Sequence, residues 1–384
     1  MSHVALIVPG LDRLAGAERQ AMLIAKGLRR RGWRVSVVAL SGSGACAAEL
    51  AETGIAFCSL AMRKGLADPR GWLRFRRWLR SERPDIVHAH LPHAAWLARW
   101  SRLFAPIPAL IDTVHSSSTG GPGRRCGYRL SDWLANCVTA VSHAAANSHL
   151  RARMVSRDKL VILPNGVDVE AWQPDPTART TVRRELGLKD EFVWLAAGRL
   201  EPVKDYPTLL QALTGVPRPA QLLIAGSGCQ RDELVSLCAR LGLEERVRFL
   251  GFQVDLGRWM QAVDGFVLSS LWEGLPTSLL EAGACGLPAV ATDVPGTREA
   301  IVDGESGCLA PPGDPPALAK AMNSLVESSP ETRQAMGARA RQRVSEHFNM
   351  ESVLNQWEQL YRQVASSAEG LLPVQQSLSE ADQL

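Results

Sequence analysis

The sequence predicts an α/β protein made of two tandem Rossmann-like domains, each a mostly parallel sheet covered by helices on both faces. Three features of the 384 residues carry that expectation. Short apolar runs alternate with longer amphipathic ones, a polar, proline-containing stretch at 165–190 divides the alternation, and the two sides differ in charge. Residues 1–165 hold 24 Lys+Arg against 10 Asp+Glu, a net +14; residues 166–384 hold 19 against 29, a net −10; the whole chain is +4. Two halves of opposite sign suggest two domains with different partners, the basic one seeking an anionic surface or substrate.

In the first half the expected strands are Val4–Val8, Val35–Leu40, Ile55–Leu60, Ile86–His90, Ala109–His115, Val138–Ser142 and Leu160–Leu163. Between them lie helix-like stretches such as Ala17–Arg31, Pro69–Ser81, His93–Phe104 and Arg125–Ala135. After the linker come strands at Phe192–Gly198, Gln221–Gly228, Val247–Gly251, Gly265–Ser270, Pro288–Thr292 and Cys308–Pro311. Helices are expected at Tyr206–Leu213, Arg231–Leu241, Thr277–Cys285 and Pro316–Val326. Two more follow Pro330, at Glu331–His347 and Met350–Ala365, ahead of a Ser/Glu/Gln-rich tail from Ser366 expected to be mobile. The domains are thus drawn at 1–165 and 166–345, with a helix at 346–365 packing back toward the first domain and the tail at 366–384. Ligands of such sheets bind outside the carboxyl ends of the strands, so facing domains would put a site in the cleft between them.

Composition narrows the function. An apolar share of 46% with 21% charged residues excludes whole-chain disorder. No uncharged apolar run approaches the roughly 18 residues of a membrane span, and Val4–Val8 runs into Pro9 and Gly10 without a basic leader, so neither signal peptide nor integral membrane protein is expected. Eight cysteines without a C-x-x-C pair, most inside apolar runs, read as reduced core thiols of a cytoplasmic protein.

The densest chemical signal is Ser269–Thr292, SSLWEGLPTSLLEAGACGLPAVAT. A strand ends near Ser270, a Gly-Leu-Pro turn follows, and a helix starting at Pro276 or Thr277 points its free N–H groups back toward a ligand, an arrangement that suits phosphate. Glu281 lies about one turn inside that helix in an apolar context and needs a partner, which two ribose hydroxyls would supply. Glu273 on the loop can reach a further hydroxylated group. Arg199 and Lys204, in GRLEPVK immediately after the first strand of the second half, are placed to neutralise a diphosphate. His88, His90 and His93 form a small cluster, but no second ligand group accompanies it and the chain has no D-x-D pair, so metal-independent chemistry is expected.

Together with LAGAERQ (Leu14–Gln20), DIVHAH (Asp85–His90) and LPNGVD (Leu163–Asp168), these segments give the chain its resemblance to the retaining glycosyltransferases of family 4, over roughly residues 3–362. The resemblance implies the GT-B fold of two facing Rossmann-like domains and transfer of a hexosyl unit from a nucleotide diphosphate sugar to an acceptor hydroxyl. It also implies that Arg199 and Lys204 bind the donor diphosphate, Glu281 the ribose and Glu273 the donor sugar. Leu275, Pro276 and Thr277 would help hold phosphate and sugar, and Gly16 would let the N-terminal loop approach the donor. His115, in DTVHSS, matches the family's active-site histidine near the transferred sugar. No cofactor is implied.

The acceptor is expected to be a growing or lipid-linked glycan in cell-surface polysaccharide or lipopolysaccharide assembly. Arg70–Arg80, RGWLRFRRWLR, interleaves five arginines with three aromatics, a pattern that fits either a surface of Arg74, Arg76, Arg77 and Trp78 for anionic membrane or acceptor at the inner face of the cell membrane, or a core-facing aromatic stripe with a solvated basic face. No nucleic-acid recognition motif accompanies the charge. Two rival readings are a sugar-nucleotide epimerase of the same fold and a catalytically silent subunit.

Overall fold

The computed structural model describes residues 2–11, 16–42, 47–63 and 68–368, and divides into two compact units: the residues before Gly166 together with those from Met350 onward, and Gly166–Asn349. The first unit holds a seven-stranded parallel sheet of β1 (His3–Val8), β2 (Arg34–Ala39), β3 (Ala56–Ser59), β4 (Ile86–His90), β5 (Ala109–Val114), β6 (Cys137–Ala140) and β7 (Leu160–Ile162), in the order β3-β2-β1-β4-β5-β6-β7. β1 is buried along its whole length, and its side chains alternate between two cores. Val4, Leu6 and Val8 meet the helices Gly16–Arg30 and Met350–Ala368, while Ala5 and Ile7 meet Phe75, Leu79, Ala95 and Ala98 of helices Pro69–Glu82 and Pro92–Ser101. A strand buried on both faces reads as a continuous apolar run, which is why VALIV was legible.

The helix Met350–Ala368 belongs to this unit through packing rather than chain continuity. Leu354, Trp357, Tyr361 and Val364 are buried in the first core. Gly27 admits the helix closely, since a Cβ there would lie 2.3 Å from Leu354 Cδ1. Trp33 Nε1 donates to Glu358 at 2.6 Å, and Arg31 pairs with Glu351 and Glu358. Residues 346–349, expected with this helix, stay with the second unit, and Ser366 to Ala368, expected in the tail, continue the helix; the rest of the tail lies outside the described residues.

The second unit holds β8 (Val193–Ala197), β9 (Gln221–Ala225), β10 (Val247–Gly251), β11 (Gly265–Leu268), β12 (Ala289–Thr292) and β13 (Cys308–Ala310), all parallel, in the order β10-β9-β8-β11-β12-β13. The first strand thus sits inside, and chain direction across the sheet reverses between β8 and β11, the place where doubly wound sheets bind ligands. Helices are launched by one recurring signal: Asp68-Pro69, Asp175-Pro176, Asp314-Pro315 and Ser329-Pro330 each pair a side chain that accepts the first free amides with a proline that has no amide to satisfy. One of them refines the linker: Pro176–Glu185, within the polar stretch at 165–190 that divides the two halves, is a helix that buries only Val182. Cys126 and Cys229 are exposed rather than core thiols; all seven described cysteines are free, and Cys46 lies outside the described residues.

Candidate functional site

The carboxyl edge of the second sheet is assembled from backbone outward. Gly198 N donates to Ala225 O at 3.0 Å and Leu200 N to Ser227 O at 3.0 Å, so the loop after β8 lies directly on the loop after β9. A Cβ on Gly226 would fall 1.8 Å from Gly198 O, and one on Gly228 2.2 Å from Leu200 O. Only glycine permits that approach. The loop after β11 is pinned to the same place: Leu271 N donates to Val203 O at 2.9 Å and Ser269 Oγ to Lys204 O at 2.7 Å. Gly296 gives room on the other side, where a Cβ would meet Gly274 O at 2.3 Å.

These contacts bring Lys204 and Glu273 together across the β8/β11 reversal. Lys204 Nζ lies 2.5 Å from Glu273 Oε1, with side chains 15% and 13% exposed. Ser270, fully buried, donates its Oγ to the same oxygen at 2.6 Å, and Thr292 Oγ1 holds Ser270 O at 2.5 Å. The ammonium has three donors and the carboxylate two oxygens, so each keeps capacity for a ligand while fixing the other. Arg199, by contrast, is exposed and its guanidinium has no hydrogen bond or ion pair among the described residues.

The helix Thr277–Ala284 completes the edge. It follows buried Leu275 and Pro276, the latter its N-cap residue without a side-chain cap bond, so the amides of Thr277 and Ser278 have no acceptor among the described residues. Ser278 Oγ reaches Ala197 O at 3.3 Å, tying the helix start to the end of β8. Glu281 is buried within the helix. Two cations, free amides and a helix dipole of the same sign suit a diphosphate, and the carboxylates of Glu273 and Glu281 suit hydroxyls.

The first unit carries the histidines at the matching edge of its own sheet, together with Gly16, the exposed first residue of helix Gly16–Arg30; Leu14 and Ala15 of the same motif lie outside the described residues. His88 is fully buried between Tyr361 OH, 2.7 Å from Nδ1, and Thr113 Oγ1, 2.6 Å from Nε2. His90, also buried, faces His115 with Nδ1 3.0 Å from its Nε2. His115 follows β5 directly and is partly buried; its Nδ1 and the Nε2 of His90 have no partner among the described residues. Burial, followed for His90 by the neighbouring rings His88 and His115, pushes His88 and His90 well below the usual histidine range, and burial brings His115 down to about 4. All three rings are therefore neutral at pH 7. His93, on the next helix, stays outside this hydrogen-bonded set.

The cluster has a stability consequence. A ring held neutral in the fold but free to protonate when unfolded binds fewer protons folded, so the stability that His115 contributes is fully present above about pH 6.5 and falls as pH drops toward 4, by about 1 kcal/mol per pH unit, and His88 and His90 act in the same direction. Urea midpoints measured at pH 7.5, 6 and 5 should fall in that order, and the loss should shrink in His90→Asn.

The basic helix Pro69–Glu82 departs from expectation at one residue. Trp78 packs inward, stacked on Phe75 at 6.3 Å and edge-on to His3 at 6.5 Å, because it lies next to the buried stripe of Gly71, Phe75 and Leu79. Arg74 is held by Leu60 O at 2.7 Å and Asp68, and Arg76 by Phe104 O at 3.1 Å over the Trp72 ring. Arg77 is exposed. The outward apolar groups are instead Leu73, Trp100, Leu103 and Phe104, with Leu130 and Trp133 further along the chain. Position on a helix wheel separates Leu73 from Trp78; residue type alone did not.

Comparison with known proteins follows the same division. A family model described as Glycosyltransferase Family 4 matches residues 14–171, and one described as Glycosyl transferases group 1 matches residues 178–343. The phosphatidyl-myo-inositol mannosyltransferase of Mycobacterium leprae is 30% identical over 380 residues, covering 95% of this chain and 98% of its own length. The UDP-Gal:alpha-D-GlcNAc-diphosphoundecaprenol alpha-1,3-galactosyltransferase of Escherichia coli is 25% identical, covering 77% of this chain and 80% of its own. Among solved structures, Anabaena Alr3699/HepE in complex with UDP and glucose superposes with a TM-score of 0.81 at 24% identity, covering 96% of this chain and 100% of that one. Sucrose-phosphate synthase from Thermosynechococcus elongatus reaches 0.85 at 23% identity over 96% and 100%. With both of its units matched in sequence and its two doubly wound sheets matched in fold, the chain belongs to glycosyltransferase family 4 and is a nucleotide-sugar glycosyltransferase of the GT-B type.

Proposed function

We propose that the protein transfers a hexosyl unit, with retention of anomeric configuration, from a nucleotide diphosphate sugar to a hydroxyl of a lipid-linked or growing glycan acceptor in cell-surface polysaccharide assembly. The observation that carries this reading is the Lys204–Glu273 pair beside Arg199 and the free amides of Thr277 and Ser278, all at the β8/β11 reversal. In this reading Lys204, Arg199 and the helix N-terminus take the leaving diphosphate, Glu281 takes the ribose, and Glu273 and His115 take hydroxyls of the transferred sugar. As the anomeric carbon gains oxocarbenium character, the departing phosphate oxygen gains charge, and preorganised cations and amides stabilise that change most. The acceptor hydroxyl then attacks from the face the diphosphate leaves and gives its proton to the departing phosphate oxygen, which preserves configuration and releases the nucleoside diphosphate.

A lipid-linked acceptor is supported by the names of two relatives, one acting on phosphatidyl-myo-inositol and one on a diphosphoundecaprenol-linked sugar. The net +14 of residues 1–165 and the exposed Leu73, Trp100, Leu103 and Phe104, the last with its carbonyl held by Arg76, support contact with an anionic membrane surface. No helix among the described residues is long and apolar enough to cross a membrane, so such contact would be peripheral.

Slow donor hydrolysis tests the chemistry without an acceptor. The purified protein is incubated with UDP-glucose, UDP-galactose, UDP-N-acetylglucosamine or GDP-mannose, all α-linked, and the released sugar is followed by proton NMR. The α anomer is expected to appear first and mutarotate afterwards; the β anomer first would refute retention, and no nucleotide release from any donor would refute the donor assignment.

A further inference from the structure

We propose that Ser270 is a positioning residue: its buried hydroxyl holds the Glu273 carboxylate in the orientation that meets the transferred sugar, and goes on holding it when a bound diphosphate draws on the Lys204 ammonium. The role rests on the proposed assignment of Glu273 to the sugar and Lys204 to the diphosphate; the hydrogen bond itself does not.

Two donors of different kinds meet at one oxygen. Ser270 Oγ donates to Glu273 Oε1 at 2.6 Å, and Lys204 Nζ reaches the same atom at 2.5 Å. A carboxylate accepts at both oxygens, so fixing Oε1 from two directions sets the plane of the group and with it the direction of Oε2, the oxygen that neither donor uses and that would accept from a sugar hydroxyl. The two donors are not equally committed. Lys204 carries a charge that two anions share once a diphosphate is bound, and its bond to Glu273 weakens as the phosphates take more of it. Ser270 is fully buried, so no ligand reaches its hydroxyl, and its single proton goes to Glu273. A buried hydroxyl is costly to leave unpaired, which keeps that bond in place when the lysine shifts.

The surroundings fix Ser270 in this role. It lies two residues beyond β11, and the register that pairs Leu268 with Ala291 brings the end of β12 alongside. Thr292 Oγ1 donates to Ser270 O at 2.5 Å, and Thr297 Oγ1 lies 2.5 Å from Thr292 O; Ser270 and both threonines are fully buried. The residues on either side of Ser270 are tied to the loop that carries Lys204, through Ser269 Oγ to Lys204 O at 2.7 Å and Leu271 N to Val203 O at 2.9 Å. A chain of three hydroxyls, Thr297 to Thr292 to Ser270, therefore ends on Glu273, and the carboxylate is held by the sheet edge as well as by the cation. Reacting groups misplaced by a fraction of a bond length lose rate while binding is little affected, so a residue of this kind acts on turnover more than on nucleotide affinity.

The test compares Ser270→Ala and Ser270→Cys with the wild type in the full-length protein. Steady-state nucleotide release is measured with whichever of the four nucleotide sugars the wild type turns over, and the affinity for UDP and GDP by calorimetry. Ser270→Ala, which removes a bond to a charged acceptor, should lower kcat by about tenfold or more, with the donor KM and the nucleotide affinity changed less than threefold. Ser270→Cys, whose thiol has a similar size and is a weaker donor, should fall between alanine and the wild type. Ser270→Ala with wild-type kcat, Ser270→Cys as slow as Ser270→Ala, or a loss of nucleotide affinity as large as the loss of kcat overturns the positioning role while leaving the proposed function in place. If Ser270→Ala does not fold, Ser270→Cys carries the test alone: a lowered kcat at unchanged affinity supports the role, and wild-type kcat or an equal loss of both overturns it. Absence of nucleotide release by the wild type with every donor removes the proposed function and this role with it.

Discussion

Glu273→Gln is expected to lower turnover by about two to three orders of magnitude while leaving nucleotide affinity intact or slightly improved. The variant keeps the shape of the side chain and can still accept from Ser270 Oγ, which now bonds Glu273 Oε1 at 2.6 Å. What it loses is the charge that faces Lys204 at 2.5 Å and, in the proposed mechanism, the charge-assisted hold on a sugar hydroxyl that tightens as the sugar gains oxocarbenium character. Removing one preorganised group aimed at transition-state charge costs on the order of 100- to 1000-fold in kcat. Nucleotide binding moves the other way, because Lys204 is released from its carboxylate and can give more of its charge to the diphosphate. Initial rates against donor concentration, with calorimetric binding of UDP and GDP, separate the two effects. Equal loss of kcat and of nucleotide affinity would mean that Glu273 acts only by holding Lys204.

Lys204→Ala should show the opposite division. A charge-assisted bond contributes about 1.5–3 kcal/mol, so nucleotide affinity is expected to fall by roughly 10- to 150-fold. Stability should fall as well, because truncation leaves the Glu273 carboxylate, 13% exposed, without its cation. Arg199→Ala supplies the contrast: the side chain is exposed and has no ion pair among the described residues, so it should weaken nucleotide binding with little change in the melting temperature of the ligand-free protein. Thermal melts of both variants with and without nucleotide distinguish a residue that holds the fold and the ligand from one that holds the ligand alone.

How far these arguments could be read from sequence depends on what each residue is buried against. A strand such as HVALIV was legible because central parallel strands are apolar on both faces, and its parallel neighbour IVHAH is buried along its whole length although one face carries His88 and His90. The helix Pro176–Glu185 was not, because a surface helix that buries one valine has almost no apolar periodicity; its Asp-Pro start was the available signal. Trp78 misled for the opposite reason, since an aromatic among arginines says nothing about which way a helix turns it until the buried partners Phe75 and His3 are known.

The site shows the same limit. Arg199, Lys204, Glu273 and Glu281 were chosen from local pattern, but their pairing was not, because Lys204 and Glu273 meet only when β8 and β11 become neighbours in a sheet whose order is not that of the chain. The His90–His115 contact was likewise hidden by 25 residues of separation. Its trace was present: His88 and His90 share one face of β4, Thr113 and His115 lie two residues apart at the end of β5, and the parallel register pairs His90 with Thr113. Alternation on two adjacent strands is enough to bring both rings to one edge once adjacency is known.

The central claim, that the second unit binds a nucleotide diphosphate through Lys204, is tested most directly by thermal shift of the wild type and Lys204→Ala against UDP, GDP, ADP and their sugar conjugates. Saturation at about 100 times the dissociation constant stabilises a fold by roughly 2.7 kcal/mol, enough to read as a rise in melting temperature. The account predicts that one nucleotide family raises the wild-type melting temperature and that Lys204→Ala, at the same ligand concentration, loses most of that rise. A wild type that responds to none of them, or a Lys204→Ala variant that responds as fully as the wild type, would contradict it.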